Sequence, residues 1–360
     1  MKENENITPL WSAVWAMSLC AMVLVASEFM PVSLLTPLAT DLTITEGYAG
    51  QSISISGLFA LVTSLFLTSI IGHTNRRTVL LFFTILMGIS GIVVANAPNA
   101  MILMIGRALL GICIGGFCSM SAATIMRLVP SRLVPKALAI LNGGNALSTM
   151  IAAPLGSFLG GIIGWRGAFF CIVPIAIIAF IWLYKSMPSL PSRHTYGHRP
   201  KLSSVFKLLK QWKVTLGMLS TMLFFMGQFA LFTYLRPFLE TQTKVDFEML
   251  SLILLVMGIG GLIGTFIIGD ILKTRLYSLL IIIPFLMMLI VIGLIYFAHS
   301  VIVIFLLMAL WGFLGTSAPV AWWTWLSKVL PHEAEAGGGL MVAIIQLAIT
   351  LGAAFGGVTF

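Results

Sequence analysis

From Tyr277 to Ala298 the chain reads YSLLIIIPFLMMLIVIGLIYFA, a run without a single charge. Such a run is long enough to cross the roughly 30 Å hydrocarbon core of a bilayer as a helix. Inside that core each backbone amide must be bonded within its own segment, so helix is the default. Reading apolar runs against turn residues and charge predicts eleven helices, over 11–36, 47–71, 78–97, 101–128, 136–161, 166–187, 213–239, 247–271, 277–298, 301–327 and 336–360. The composition agrees. Hydrophobic residues make up 59%, charged residues 9%, and the mean hydropathy is +1.07, whereas a water-soluble domain is about one-quarter charged. The expected fold class is an all-α polytopic membrane protein, with the lipid bilayer as its solvent.

The formal net charge of +9 does not call for a nucleic-acid partner, because the basic residues lie between apolar runs. Arg76, Arg77, Arg127, Arg132, Lys136, the segment Lys185 to Lys213, Lys273, Arg275 and Lys328 fall in one set of alternate loops. Asp41, Glu46, Glu240, Asp246 and Glu248 fall in the other, with Arg166, Arg236 and Lys244 as the few cations there. The positive-inside rule then places the N-terminus in the cytoplasm. The opening MKENENITPL is mixed in charge, and the apolar run after it is long enough to remain as an anchor. Cys20, Cys113, Cys118 and Cys171 lie inside apolar runs with no CxxC pair, which marks them as packing residues.

The longest loop, MPSLPSRHTYGHRPKLSSVFKLLKQWK, is basic and proline-punctuated, and is expected to divide the chain. The boundaries are an N-terminal bundle at 1–187, a basic cytoplasmic linker at 188–212 and a C-terminal bundle at 213–360. An internal repeat supports the division. ALLGICIGGFCSMSAATIMRLVP (108–130) aligns without gaps on ALWGFLGTSAPVAWWTWLSKVLP (309–331), and STMIAAPLG (148–156) falls on ITLGAAFGG (349–357) at the same offset. EFMPVSLLTP (28–37) falls on QFALFTYLRP (228–237), one residue earlier in offset. A duplicated six-helix unit predicts a partner for helix six near 366–388, so the chain is expected to lack a twelfth helix.

Glu28 is the one acid well inside an apolar span, and Arg107 in MILMIGRALLG is its basic counterpart. At 1.5 Å per residue the two lie roughly 12 and 9 Å below the same surface, a similar depth. A charge in hydrocarbon costs at least about 2.5–3.5 kcal/mol, so such residues have a task and a partner. Two readings stand. In one, Glu28 takes up and releases a proton as its distance from Arg107 changes, because oil favours the neutral acid and a guanidinium the ionised one. In the other, the two form a permanent ion pair that fixes helix packing. Glu28 maps to Gln228 in the repeat and Arg107 to Met308, so any ionic coupling belongs to the N-terminal half.

Uncharged polar residues within spans are the candidates for solute contact. Asn142 and Asn145 share a face of helix five, Gln346 is the repeat mate of Asn145, and Gln51, Gln228 and Tyr234 extend the set. Amides offer donors and an acceptor to nucleobase and ribose edges, and interhelical hydrogen bonding is the alternative role. In VAWWTWLSK, Trp322 and Trp325 are expected in the interfacial aromatic belt near Lys328, and Trp323 in the cavity. Gly111, Gly115 and Gly116 have the spacing of close helix packing. GIGGLIG (258–264) follows no strand and is not a dinucleotide loop. HExxH, GxSxG and Walker motifs are absent from the sequence, and no histidine lies deep in a span. Neither an enzyme nor a metal site is expected.

EFMPVSLLTPLATDL, EGYAGQS, GRALLGICIGG, MRLVPSRLVPKALAI, APLGSFLGGIIGWR and KSMPSLP resemble the drug and sugar proton-antiporter group of the major facilitator superfamily. The wording resembles bacterial purine ribonucleoside efflux pumps in particular, and PVAWWTW and VAIIQLAITLGAAFGG continue the likeness. The resemblance implies two six-helix bundles and export of inosine- or guanosine-like nucleosides in exchange for protons. It further implies a multi-pass monomer of the bacterial inner membrane, driven by a proton gradient with no cofactor. Export of sugars or drugs and an inactive truncated transporter are the alternatives. Arg107 occupies the place of the family's helix-four arginine, and Ala153, Pro154 and Gly156 approximate its helix-five antiporter motif. Its gating loop falls on Gly72, Asn75, Arg76 and Arg77, where Asn75 stands in place of the usual aspartate.

Overall fold

The computed structural model describes residues 10–71, 74–130, 133–191, 208–330 and 334–359, which are helical almost throughout with no strand among them. The helices are α1 (Trp11–Asp41), α2 (Glu46–Ile71), α3 (Arg76–Ala95), α4 (Ala100–Leu128), α5 (Val134–Phe170), α6 (Ile172–Ser186), α7 (Trp212–Thr233), α8 (Leu235–Phe238), α9 (Phe247–Tyr296), α10 (Val301–Val329) and α11 (Ala334–Thr359). A π-helical turn, Leu239–Thr243, follows α8. Where a side chain caps a helix start it does so through an oxygen: Thr45 on Tyr48 N, Asn75 on Arg77 N, Asn99 on Ile102 N and Asp246 on Met249 N.

Among the described residues ten segments are long and apolar enough to cross a membrane, and one of them, 143–186, holds two spans. The break inside it is Gly164, at φ 74° and ψ 167°, a conformation that glycine adopts without a Cβ penalty. Arg275, at φ −126° and ψ 32°, breaks α9 in the same way between the expected eighth and ninth spans. Eleven spans result, as the apolar pattern predicts.

Two helix ends differ from expectation, and each involves a proline, passed in one case and obeyed in the other. α1 does not stop near Thr36 but runs through Pro31 and Pro37 to Asp41. Span seven breaks at Tyr234 (φ −105°, ψ 16°), just where Pro237 deprives the Thr233 carbonyl of its helical donor.

Buried apolar side chains form two cores. One draws on residues 13–190 and takes in Tyr234, while the other draws on 208–353 and takes in Val32, Ile53 and Ala153. α1 lies against α5, α2 against α4, and the two arms of α9 against α10, while α2–α11 and α5–α9 join the two cores.

The contacts recur at a fixed spacing. A Cβ on Gly111 would sit 2.2 Å from Ser56 O, and one on Gly312 would sit 1.8 Å from Met257 O, which is the same contact 201 residues on. Across the seam, Gly57 meets Thr350 and Gln346 O, and Gly258 meets Met150 O. Those of Gly111, Gly258 and Gly312 are backbone-to-backbone approaches that any side chain would separate. Gly111→Val is therefore expected to lower stability by about 1–3 kcal/mol through forced separation of α2 and α4. Gly143→Ala, whose Cβ meets nothing within 4 Å, is the control. Thermal unfolding in detergent distinguishes them, and equal midpoints would refute the steric argument.

Candidate functional site

Arg107 projects from α4 into the space between α1 and α2 and is fully buried. Its Nη1 donates to Ser27 O at 2.7 Å, Nη2 to Glu28 O at 3.0 Å and to Ser56 Oγ at 3.1 Å, and Nε to Ser52 O at 3.2 Å. The guanidinium thus grips the backbone of Glu28, not its carboxylate. Ion pairs among the described residues are Arg166–Asp41 and Arg236–Glu240, so the permanent Glu28–Arg107 pair is not formed here. Glu28 is only 4% exposed, and its Oε1 is buried with no hydrogen-bond partner.

The residue after the acid lies at the seam between the cores. This residue, Phe29, stacks on Phe229 of α7 at 5.7 Å and 20°, and Phe232 meets both edge-on at 6.0 Å. Phe29 and Phe229 are repeat mates, so the stacked pair sits where the two halves face each other. Gln228, the repeat mate of Glu28, is at the same level. Its Nε2 reaches Gly315 O at 3.4 Å, while Oε1 is buried and unpaired.

The other polar candidates spread along the seam. Gln346 and Asn145 each bury an unpaired side-chain oxygen. Gly144 lies against Ser18 and Ser148 donates to Met22 O, so Asn145 is about two and a half turns from Glu28 along α1, roughly 13 Å. Asn142 falls on α5, and its side chain lies outside the described residues. Gln51 Nε2 crosses to Ala354 O at 3.4 Å. Tyr234 is buried, with its hydroxyl 3.0 Å from Ala353 O and 3.3 Å from Gly47 O, so it ties α7, α11 and α2 together and does not line an open cavity.

The tryptophans reverse part of the expectation. Trp322 and Trp325 are each 6% exposed and pack edge-to-face at 5.9 Å, with Trp325 filling the space that Gly217 leaves on α7. They are core residues, not interfacial ones. Trp323, at 42% exposure, is the open member of the three and lies beside Gly338 of α11.

At the opposite end from Tyr234, Asn75 caps α3, accepts from Leu190 N at 3.0 Å and donates to Ser189 Oγ at 2.7 Å. Arg76 N donates to Leu190 O, and Arg77 Nη2 to Tyr184 O at 2.7 Å. These residues fix the segment after α6 to the N-terminal core. An aspartate could cap the helix as well, but could not donate to Ser189. Gly72 lies outside the described residues, as do 192–207 of the expected linker. In the antiporter-motif stretch, Ala153 is buried among the C-terminal core, Pro154 leaves Met150 O without a helical donor, and Gly156 lets α5 close on Met30 and Ser33 of α1.

Sequence reasoning missed Arg236. It donates through Nη1 to Ser33 O and through Nε to Glu240 at 2.8 Å, and is 8% exposed. The available signal was a serine four residues ahead of each proline in α1, paired with a cation inside an apolar run.

Two apolar cores meeting along a seam, with a buried acid and a buried arginine within the first half and unpaired buried amides in both, define a polytopic membrane protein of transporter architecture. The major facilitator superfamily model matches residues 17–356, and the chain belongs to that superfamily. It is 54% identical to the transcription regulatory protein OpdE of Pseudomonas aeruginosa over 99% of this chain and 89% of that one. It is 42% identical to the purine ribonucleoside efflux pump NepI of Salmonella typhimurium over 98% of this chain and 91% of that one. Among solved structures, a bacterial homologue of the human lysosomal transporter Spinster superposes with a TM-score of 0.75 at 16% identity, covering 97% of this chain and 81% of that one. A D-xylose–proton symporter superposes at 0.73 and 17% identity, covering 98% and 90%.

Proposed function

We propose that this chain exports purine ribonucleosides in exchange for protons by alternating access. The moving parts are the bundles 1–187 and 213–360, joined by 188–212, in a monomer of the bacterial inner membrane with a cytoplasmic N-terminus. One observation carries the reading: Glu28, an acid with an unpaired buried oxygen, is the residue before Phe29, which stacks on Phe229 of the other core. Rocking of the bundles separates Phe29 from Phe229 and so alters the surroundings of the adjacent acid. Glu28 and Arg107 are the proton-coupling pair. The unpaired oxygens of Asn145, Gln228 and Gln346 want N–H and O–H donors, which a purine edge and a ribose supply. The nucleoside itself rests on the resemblance to efflux pumps of that name.

The name of the Pseudomonas relative favours a second reading, a role in gene regulation. An exporter fulfils it without touching DNA when its solute is an inducer, so the two readings share one activity.

The test is uptake of radiolabelled inosine into inverted vesicles bearing the full chain. An acid interior is expected to drive accumulation, since protons leave as solute enters. Accumulation indifferent to the gradient would refute proton exchange. Gradient-driven uptake of a sugar or a drug in place of inosine would refute the nucleoside assignment.

A further inference from the structure

In an α-helix each carbonyl accepts from the N–H four residues on, so a proline leaves the carbonyl at i−4 with no donor. α1 carries Pro31 and Pro37, which free the carbonyls of Ser27 and Ser33. Each freed oxygen is taken by a buried arginine. Arg107 Nη1 donates to Ser27 O, and Arg236 Nη1 donates to Ser33 O. The pattern extends to the other core, where Pro319 frees Gly315 O and Gln228 Nε2 reaches it.

The two arginines differ in where they come from. Arg107 belongs to α4, in the same core as α1, so its bond holds one bundle together. Arg236 belongs to α8, beyond the seam, so its bond joins one half to the other. Glu240 holds the guanidinium from the far side by an i,i+4 bond. Two residues earlier, Tyr234 contributes the second link between the halves at the same end.

We propose that Pro37 and Arg236 are a matched pair of positioning residues, the proline supplying the acceptor and the arginine the donor of a clasp. The clasp holds the ends of α1 and α7 closed on the face that carries the acidic loops. Opening toward that face breaks the bond at Ser33 O, which then has no helical donor to return to. The open state is thereby disfavoured without any change inside either bundle. The idea rests on the alternating-access reading only for its meaning in a transport cycle.

The test uses the full chain in proteoliposomes with a Thr36→Cys reporter one turn from the clasp, labelled by a membrane-impermeant maleimide. The chain with its native cysteines alone gives the background. Pro37→Ala restores an N–H to Ser33 O and is expected to raise the labelling rate about tenfold, the weight of one hydrogen bond to a charged group. Arg236→Gln is expected to do the same, and Arg236→Lys, which keeps the charge and a donor, to recover part of the closure. The double variant Pro37→Ala/Arg236→Gln is expected to label no faster than Arg236→Gln alone. Pro37→Gly also restores the N–H on a different backbone, and repeats the measurement should the alanine variant fail to fold. Unchanged labelling in the proline variants would overturn the clasp. So would a full additive increase in the double variant, because the proline would then act through helix bending alone. No solute or pH gradient enters the measurement, so its failure and failure of the transport reading are told apart.

Discussion

Glu28→Gln is expected to abolish gradient-driven accumulation of solute while solute-for-solute exchange across the membrane continues. The substitution keeps the length and shape of the side chain and removes only its ability to ionise. The position is 4% exposed and Oε1 has no partner to lose, so the fold carries little cost for the change. The chain already contains a precedent. Gln228, the repeat mate, occupies the same level of the C-terminal half beside the stacked Phe229 and serves there as a neutral amide. In the exchange reading, Arg107 leaves the backbone carbonyls of Ser27 and Glu28 for the carboxylate in one orientation and returns in the other. A glutamine gives it nothing to neutralise, so proton movement and rocking become independent. Accumulation in inverted vesicles with an acid interior is expected to fall to the gradient-free baseline. The counterflow of labelled against unlabelled inosine is expected to persist. Wild-type accumulation in the variant would end the proton-coupling role, and loss of counterflow as well would make Glu28 a solute contact instead.

The spans were legible because the bilayer leaves the backbone no other choice, so length and apolarity alone locate eleven of them. The breaks at Gly164 and Arg275 were legible for the same reason: polar or small residues interrupt the runs there. What could not be read were features needing a partner far away in sequence. α1 passes Pro37 because a side chain 199 positions later occupies the carbonyl that the proline frees. Trp322 and Trp325 look interfacial beside Lys328, yet a glycine on α7 opens the space that buries Trp325. Asn75 reads as a lost charge when set against a family pattern, and only the geometry shows it as a helix cap with an added donor bond to Ser189. Depth along the helices correctly brought Glu28 and Arg107 to one level. The choice between carboxylate and carbonyl lay with Pro31, a residue that the depth argument did not use.

Arg107→Met is expected to cost about 1–3 kcal/mol, the penalty of leaving a buried acceptor unsatisfied. Methionine fills much of the volume, so the penalty falls on the acceptors. Glu28 O and Ser52 O keep their helical donors from Val32 and Ser56, but Ser27 O faces Pro31 and has none. The second half of the chain shows the same position solved without the arginine. There Met308 replaces Arg107 and is fully buried, and Leu231 replaces Pro31, so the α7 carbonyl at that level is not freed. Proline and arginine are present together in one repeat and absent together in the other. Pro31→Ala in the Arg107→Met background therefore restores the missing N–H and is expected to recover about 1–3 kcal/mol, the cost of one unsatisfied buried acceptor. The measurement is the thermal midpoint of the three chains in detergent. A double variant no more stable than Arg107→Met would show that Arg107 holds the bundle through Ser52 and Ser56, and that the carbonyl released by Pro31 is not what the arginine is there to satisfy.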